Sequence, residues 1–232
     1  MRRASVVAMV RYSIFRRPSP RMSFTDRDLE YLEGVHAPLG PVLEEMLRAG
    51  REEGIPIVSP AAGRVLHVLV LALAPKRVLE IGTAIGFSTL WMASALPLGS
   101  RLDTIDPDRS RTDRARRYWL RAGVSDRIRV TNEPALRVLP RLEPGIEFAF
   151  IDALKPEYAA YLDGLLPKMA PGGLITVDNV LWSGRIAAGE RDENTDALRA
   201  FNEKFLHHEQ LEATIVPVGD GLGIGAVRPH AL

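Results

Sequence analysis

Three short stretches carry residues whose types and spacing could do chemistry. Asp152 and Lys155 stand three apart in FIDALK, Asp178 and Asn179 are adjacent in VDN, and Gly82 and Gly86 frame the turn in EIGTAIG. Two carboxylates and an amide are hard oxygen donors, the kind Mg²⁺ prefers, with positions left for water and for substrate oxygens. Taken singly, Asp178-Asn179 reads as a turn and Asp152 as a helix cap. The chemical reading therefore depends on a fold that brings the stretches together. The glycine pair lets the chain turn tightly into a helix, whose N-terminal N–H groups can receive an anion.

The elements that must position these residues can be read from hydrophobic periodicity. Short β-like runs at 77–81, 101–105, 127–131, 147–151 and 174–177 alternate with helical patterns near 87–95, 109–122, 135–141, 157–169 and 194–207. Such βαβ repetition predicts a parallel sheet with helices on both faces. Three helices precede it: one opened by a Thr25/Asp28 capping box, one from Pro41 through Glu53, and one over about 61–73. The chain ends in two runs, 211–218 and 222–227, joined by Gly219-Asp220-Gly221, which predicts a hairpin. The expected fold is α/β: a Rossmann-like sandwich on a seven-stranded, mostly parallel sheet, with an antiparallel last strand and extra N-terminal helices. That last strand is common among S-adenosylmethionine-dependent methyltransferases and rare in dinucleotide-binding domains.

Ligands of open α/β sheets bind outside the carboxyl ends of the strands, and the three stretches fall at such ends. The glycine turn is GxxxG and lacks the middle glycine through which a pyrophosphate approaches the backbone. A ligand without a pyrophosphate fits better. S-adenosylmethionine is one, and its carboxylate could take the helix N-terminus and Ser88. Asp106 ends the second strand, 24 residues after Gly82, where an acid can accept from both ribose hydroxyls. Alternatively it caps the next helix with Pro107 at its first position. NAD enzymes share this acid, so an NAD-binding dehydrogenase stays open at this point.

Composition sets the outer bounds. Of 232 residues, 46% are hydrophobic and 25% charged, which excludes a disordered or fibrous chain. The absence of cysteine excludes a disulfide framework, a thiolate zinc site and a cysteine nucleophile, and suits a reducing cytoplasm. Only four of thirty cations are lysines, so Lys155 beside Asp152 stands out. Six arginines precede the first acid, Asp26, and without residues 1–21 the chain carries 24 cations and 29 anions. The net charge of +1 is thus a basic tail against a mildly acidic body. The apolar stretches of residues 1–22 are too short for a signal peptide or a membrane span. Residues 1–22 read as a disordered basic extension or a misassigned start, with a nucleic-acid-binding arm as the alternative, and residues 23–232 as a single domain.

At this point the residues carry a resemblance. GIPIVSPAAGRVL, VLEIGTAIGFSTLWMA, FAFIDALKPEY, VDNVLWSGR and VPVGDGLGIG, in this order and spacing, resemble the cation-dependent class I O-methyltransferases of the catechol and caffeoyl-coenzyme A type, over about residues 55–228. The resemblance implies cofactor contacts from Val58, Glu80, Gly82, Ser88, Asp106, Ala135 and Asp152, and metal ligands Asp152, Asp178 and Asn179. It makes Lys155 a general base, with Asp152 as its catalytic companion and Tyr158 beside it. Glu133 departs from the pattern, which has glycine before the adenine-contacting Ala135. A more local likeness, in the IP-plus-glycine segment, EIGTAIG and PVGDGL, is to bacterial tRNA 5-hydroxyuridine methyltransferases.

The implied function is transfer of a methyl group from S-adenosylmethionine to an acidic hydroxyl chelated by Mg²⁺ or another divalent cation. The acceptor is a catechol-like small aromatic diol or 5-hydroxyuridine in tRNA, and the resemblance implies a homodimer without membrane attachment. A phenol with pKa near ~10 lies roughly 4 kcal/mol from ionisation at pH 7. Lysine, with a reference pKa of ~10.4, is a poor base alone, so the metal is assigned the larger share. Trp182 reads either as a wall for a planar acceptor or as packing under its loop, and His207-His208 receive no catalytic role. A catalytically silent cofactor-binding protein is the remaining alternative.

Overall fold

The structure, a computed structural model, describes residues 25–229. Among the described residues the chain divides into two compact units, 25–39 and 40–229. The reading of residues 1–22 as a basic extension lies outside the described residues.

The first unit contains α1 (Asp26–Val35), opened by the expected capping box: Asp28 N–H donates to Thr25 Oγ1 at 3.3 Å, and Thr25 N–H donates to Asp28 Oδ2 at 2.8 Å. The second unit begins with α2 (Pro41–Glu53), with proline in its first turn and Gly54 in the left-handed conformation at its end. Ser59 caps α3 (Pro60–Leu73) by accepting from Ala62 N–H at 3.1 Å. The alternation follows as β1 (Arg77–Ile81), α4 (Phe87–Ala95), β2 (Arg101–Ile105), α5 (Arg109–Arg121), β3 (Ile128–Thr131) and α6 (Ala135–Val138). It continues with β4 (Ile146–Ile151), α7 (Tyr158–Leu165), β5 (Met169–Val177) and α8 (Glu193–Leu206), and closes with the hairpin of β6 (Leu211–Val216) and β7 (Leu222–Val227).

Two helices are shorter than the periodicity predicts, and proline explains both. The pattern over 135–141 is helical only through Val138, and a 3₁₀ turn follows at Leu139–Arg141. The pattern over 157–169 is helical through Leu165, with a 3₁₀ turn at Leu166–Lys168. Pro140 and Pro167 supply no N–H to continue an α-ladder, so the chain tightens. Met169 then opens β5, five residues before the predicted start. The early part of β5 contains Gly172 and Gly173, which diluted the apolar signal, and the β4–β5 register shifts between Ile146 and Phe148.

The seven strands form one sheet in the order β3-β2-β1-β4-β5-β7-β6. The pairs from β3 to β5 are parallel, while β7 lies antiparallel between β5 and β6. β1, β4 and β5 are buried along most of their length, and α7 and α8 cover them through Tyr158, Leu162, Leu198, Phe201 and Phe205. Among the described residues no helix is long and apolar enough to cross a membrane.

This topology places the chemistry. Strand order reverses between β1 and β4, the switch point at which parallel sheets open a crevice. Each residue just past a strand end donates its N–H to the last carbonyl of the neighbouring strand: Asp178 to Ile151 at 3.0 Å, Asp152 to Ile81 at 2.9 Å, Gly82 to Ile105 at 2.9 Å and Asp106 to Thr131 at 3.1 Å. Asp106, Gly82, Asp152 and Asp178 therefore form a single backbone-tethered row along the carboxyl edge.

Candidate active site

The β1–β2 half of this row is a closed network. Gly82, at φ +100°, cannot be replaced by a larger residue, because a Cβ there would lie 1.9 Å from the Asp152 carbonyl oxygen. The turn is thereby pressed against the end of β4. Asp106, nearly buried, holds it from the other side: Oδ2 accepts from Thr83 N–H at 3.0 Å and Ala84 N–H at 2.8 Å, and Oδ1 accepts from Asp108 N–H at 2.8 Å. Asp106 does not cap α5. Asp108 does, accepting from Arg111 N–H at 3.0 Å, and Pro107 stands outside the helix, which corrects the alternative reading of Asp106.

Glu80 is fully buried, and three hydroxyls donate to it: Ser88 at 2.6 Å, Thr104 at 2.6 Å, and Thr89. Burial outweighs these bonds and pushes the Glu80 carboxyl up to about 7. Ser88 thus spends its donor inward on Glu80. Val58 is buried in the segment leading into α3, and Ala135 is buried at the start of α6. Glu133 pairs with Arg141 Nη2 at 2.7 Å, so the carboxylate at the departing position is held by a neighbouring guanidinium.

The β4–β5 half is built around Lys155, in the turn before α7. Its Nζ donates to Asp152 Oδ1 at 2.9 Å, Tyr158 Oη at 2.8 Å and Asn179 Oδ1 at 2.7 Å. An ammonium has three donors, and all three are engaged. Tyr158 donates its own O–H to the Asp178 carbonyl at 3.2 Å, and burial holds its phenol well above its ordinary value. The rings of Tyr158 and Trp182 lie 5.0 and 5.8 Å from Lys155 Nζ. Trp182 also packs on the core cluster, in keeping with the reading of it as packing under its loop. Asp152, Lys155, Asp178 and Asn179 are brought together. His207 and His208 are not: they lie at the far end of α8, where the His207 ring bonds the Glu203 carbonyl.

Asp178 is the anomaly of the site. Its carboxylate is buried, and Oδ1 has no hydrogen-bond partner. Burial, reinforced by the nearby charge of Asp152, raises its pKa from the ordinary carboxylate range. Among the described residues there is no group of three or more His, Cys, Asp and Glu side chains able to hold a metal, so a cation here would rely on two carboxylates and an amide. That set fits a hard divalent cation: it is all oxygen, it has an unsatisfied acceptor, and it already attracts an ammonium.

Two residues that position the site were not foreseen. Asn202 on α8 donates to the Val180 carbonyl at 2.7 Å, and Asp220 in the hairpin turn faces Asn179 and Ser183. The hairpin was legible, but its turn reaches this edge only because β7 runs antiparallel beside β5, pairing Gly223 with Val177.

A family profile described as O-methyltransferase matches residues 36–227. The chain is similar to a catechol O-methyltransferase from Mycobacterium tuberculosis, 36% identical over 196 residues that cover 81% of this chain and 89% of the relative. It is likewise similar to a catechol O-methyltransferase from Niastella koreensis, 35% identical over 193 residues, covering 76% and 86% of the two chains. Among solved structures, an O-methyltransferase from Bacillus cereus in complex with SAH superposes with a TM-score of 0.78 at 32% identity, covering 86% of this chain and 96% of that one.

Proposed function

The chain belongs to the S-adenosylmethionine-dependent O-methyltransferase family, and on that premise we propose that it methylates a hydroxyl of a small catechol-like aromatic at the Asp152, Lys155, Asp178 and Asn179 cluster. The observation that carries this reading is the buried, unpartnered Oδ1 of Asp178 beside Asp152 and Asn179, an all-oxygen set of the kind a hard divalent cation takes. A divalent ion held by these three residues would lower the pKa of a chelated hydroxyl.

The cofactor supplies a methyl group on a sulfonium, which requires an oxygen nucleophile in line with the sulfur–carbon bond. Gly82, Ser88, Asp106 and Ala135 border the crevice proposed to hold that cofactor, with Val58 and Glu80 fixing its walls from within. Lys155 serves the acceptor hydroxyl in one of two forms. As the ammonium, it stabilises negative charge developing on the oxygen; as the free amine, it takes the hydroxyl proton at Nζ. Tyr158, kept neutral by burial, bonds Lys155 and the Asp178 carbonyl and so fixes the amine between Asp152 and Asn179. Trp182 offers a flat apolar face beside it.

The relatives named catechol O-methyltransferase and the mildly acidic body both support a small aromatic diol over a polyanionic acceptor. Purified protein supplied with S-adenosylmethionine, Mg²⁺ and a dihydroxyphenol should form the monomethyl ether. No product, together with unmethylated 5-hydroxyuridine accumulating in tRNA of a deletion strain, would reassign the acceptor to RNA. A homodimer goes with this reading, and light scattering on the purified chain tests it.

A further inference from the structure

We propose that Asp220 is a positioning residue that fixes the amide orientation of Asn179, so that the carbonyl oxygen of Asn179, and not its NH₂ group, faces the cation side of the site. This inference rests on the proposed metal-dependent reading. Its starting point is an asymmetry of partners. Asn179 Oδ1 accepts from Lys155 Nζ at 2.7 Å, while Nδ2 points to Asp220 Oδ2 at 3.4 Å. A lysine ammonium can only donate and an ionised carboxylate can only accept. One flip of the amide satisfies both neighbours; the other sets N–H against ammonium and oxygen against carboxylate.

Asp220 is held for this task. Its Oδ1 accepts from Ser183 N–H, its carbonyl accepts from Leu181 N–H at 3.0 Å, and the Gly221 carbonyl accepts from Val180 N–H at 3.1 Å. The turn approaches the loop so closely that a Cβ on Gly221 would lie 2.8 Å from Leu181 N. The clamped loop carries three non-glycine residues with left-handed backbone: Asn179 at φ +62°, Trp182 at +51° and Ser183 at +51°. Such backbone persists only where its surroundings hold it in place. Asn202 grips the same loop at Val180 from the other side.

An asparagine at 220 cannot do the same work. Its single oxygen serves either Ser183 N–H or Asn179 Nδ2, and its NH₂ group then opposes the other donor or turns Asn179 over. The test is a double-mutant cycle on cation affinity, read by calorimetric titration of the full chain with Mn²⁺ alone. Asp220→Asn should weaken Mn²⁺ about 10-fold or more, the scale of lost support behind a metal ligand. Asn179→Asp faces two carboxylates with no donor between them. The exchange Asn179→Asp with Asp220→Asn restores a donor–acceptor pair at unchanged net charge. Its affinity should exceed the product of the two single effects by about 10-fold, with S-adenosylhomocysteine affinity within about 2-fold of wild type in every variant. Wild-type affinity in Asp220→Asn, or additive effects around the cycle, would overturn the orientation role. A wild-type chain that binds no Mn²⁺ would instead remove the metal reading beneath it. If Asp220→Asn does not fold, exchange of the Asn179 side-chain amide in the wild type decides: about 10-fold protection relative to an exposed asparagine is expected, and free exchange would contradict the proposal.

Discussion

Two halves of one sheet edge, a strand apart, treat their acids in opposite ways. On the β1–β2 side, Glu80 takes three hydroxyl donors and Asp106 takes three backbone N–H groups. On the β4–β5 side, Asp178 is buried with a bare oxygen, and Asp152 and Asn179 share one ammonium. The first half is complete as folded. The second leaves acceptor capacity unused, and a buried polar atom without a partner costs about 1–3 kcal/mol. The proposed cation would take up that unused capacity, and on this reading the β1–β2 half is the scaffold of the crevice and the β4–β5 half its reacting part.

The sharpest way to break this contrast is to remove one acid from each half. Asp178→Ala should lower kcat/KM for methyl transfer about 10³-fold, the scale of losing electrostatic support for a developing oxyanion. It should leave the melting temperature unchanged or raised, because an unsatisfied buried charge is deleted. Glu80→Ala should do the reverse to the fold, costing about 3 kcal/mol by orphaning three hydroxyls. Equal losses of stability in both variants, by denaturant titration, would erase the distinction. Lys155→Ala should reduce kcat about 10²-fold, within the range of a lost acid–base group, and leave S-adenosylhomocysteine affinity within about 2-fold by calorimetry. An unchanged rate removes Lys155 from the chemistry.

A smaller effect sharpens the comparison through pH. Glu80 holds its proton more tightly folded than unfolded, with a folded pKa pushed up to about 7. Its contribution to stability is therefore complete below pH ~4.3 and is lost as pH rises through about 7, a change of about 4 kcal/mol at most. Unfolding free energy measured from pH 4.5 to 8 should fall with pH in the wild type and fall less in Glu80→Gln. The slope that remains has the sign expected of Asp178, also raised by burial, and saturating Mg²⁺ should flatten it. A full slope in Glu80→Gln would show that Glu80 is not the titrating group.

Much of the architecture was legible because its signals are local. The bounds of β1, β2, β7, α2 and α4 match the apolar runs and caps, since those elements are bounded by Gly, Pro or capping residues. The ends of α6 and α7 were not legible, because Pro140 and Pro167 sit inside patterns that stay apolar past them. That the candidate residues would lie together could be read because strand ends in parallel sheets share one edge, so four local motifs imply one place. What joins them could not be named. That Ser88 turns inward to Glu80, that Asp106 holds Thr83 and Ala84, and that Asp220 reaches Asn179 are contacts between residues 8 to 41 positions apart. Each depends on how closely the turns approach, and a sequence pattern carries no distance.

The central claim is that the β4–β5 half becomes competent by taking a divalent cation. Its most direct test is methyl transfer to a dihydroxyphenol by chelator-treated protein, before and after addition of Mg²⁺. Turnover should be absent in the stripped protein and return with the metal in wild type but not in Asp178→Ala. Full turnover in excess chelator would contradict it.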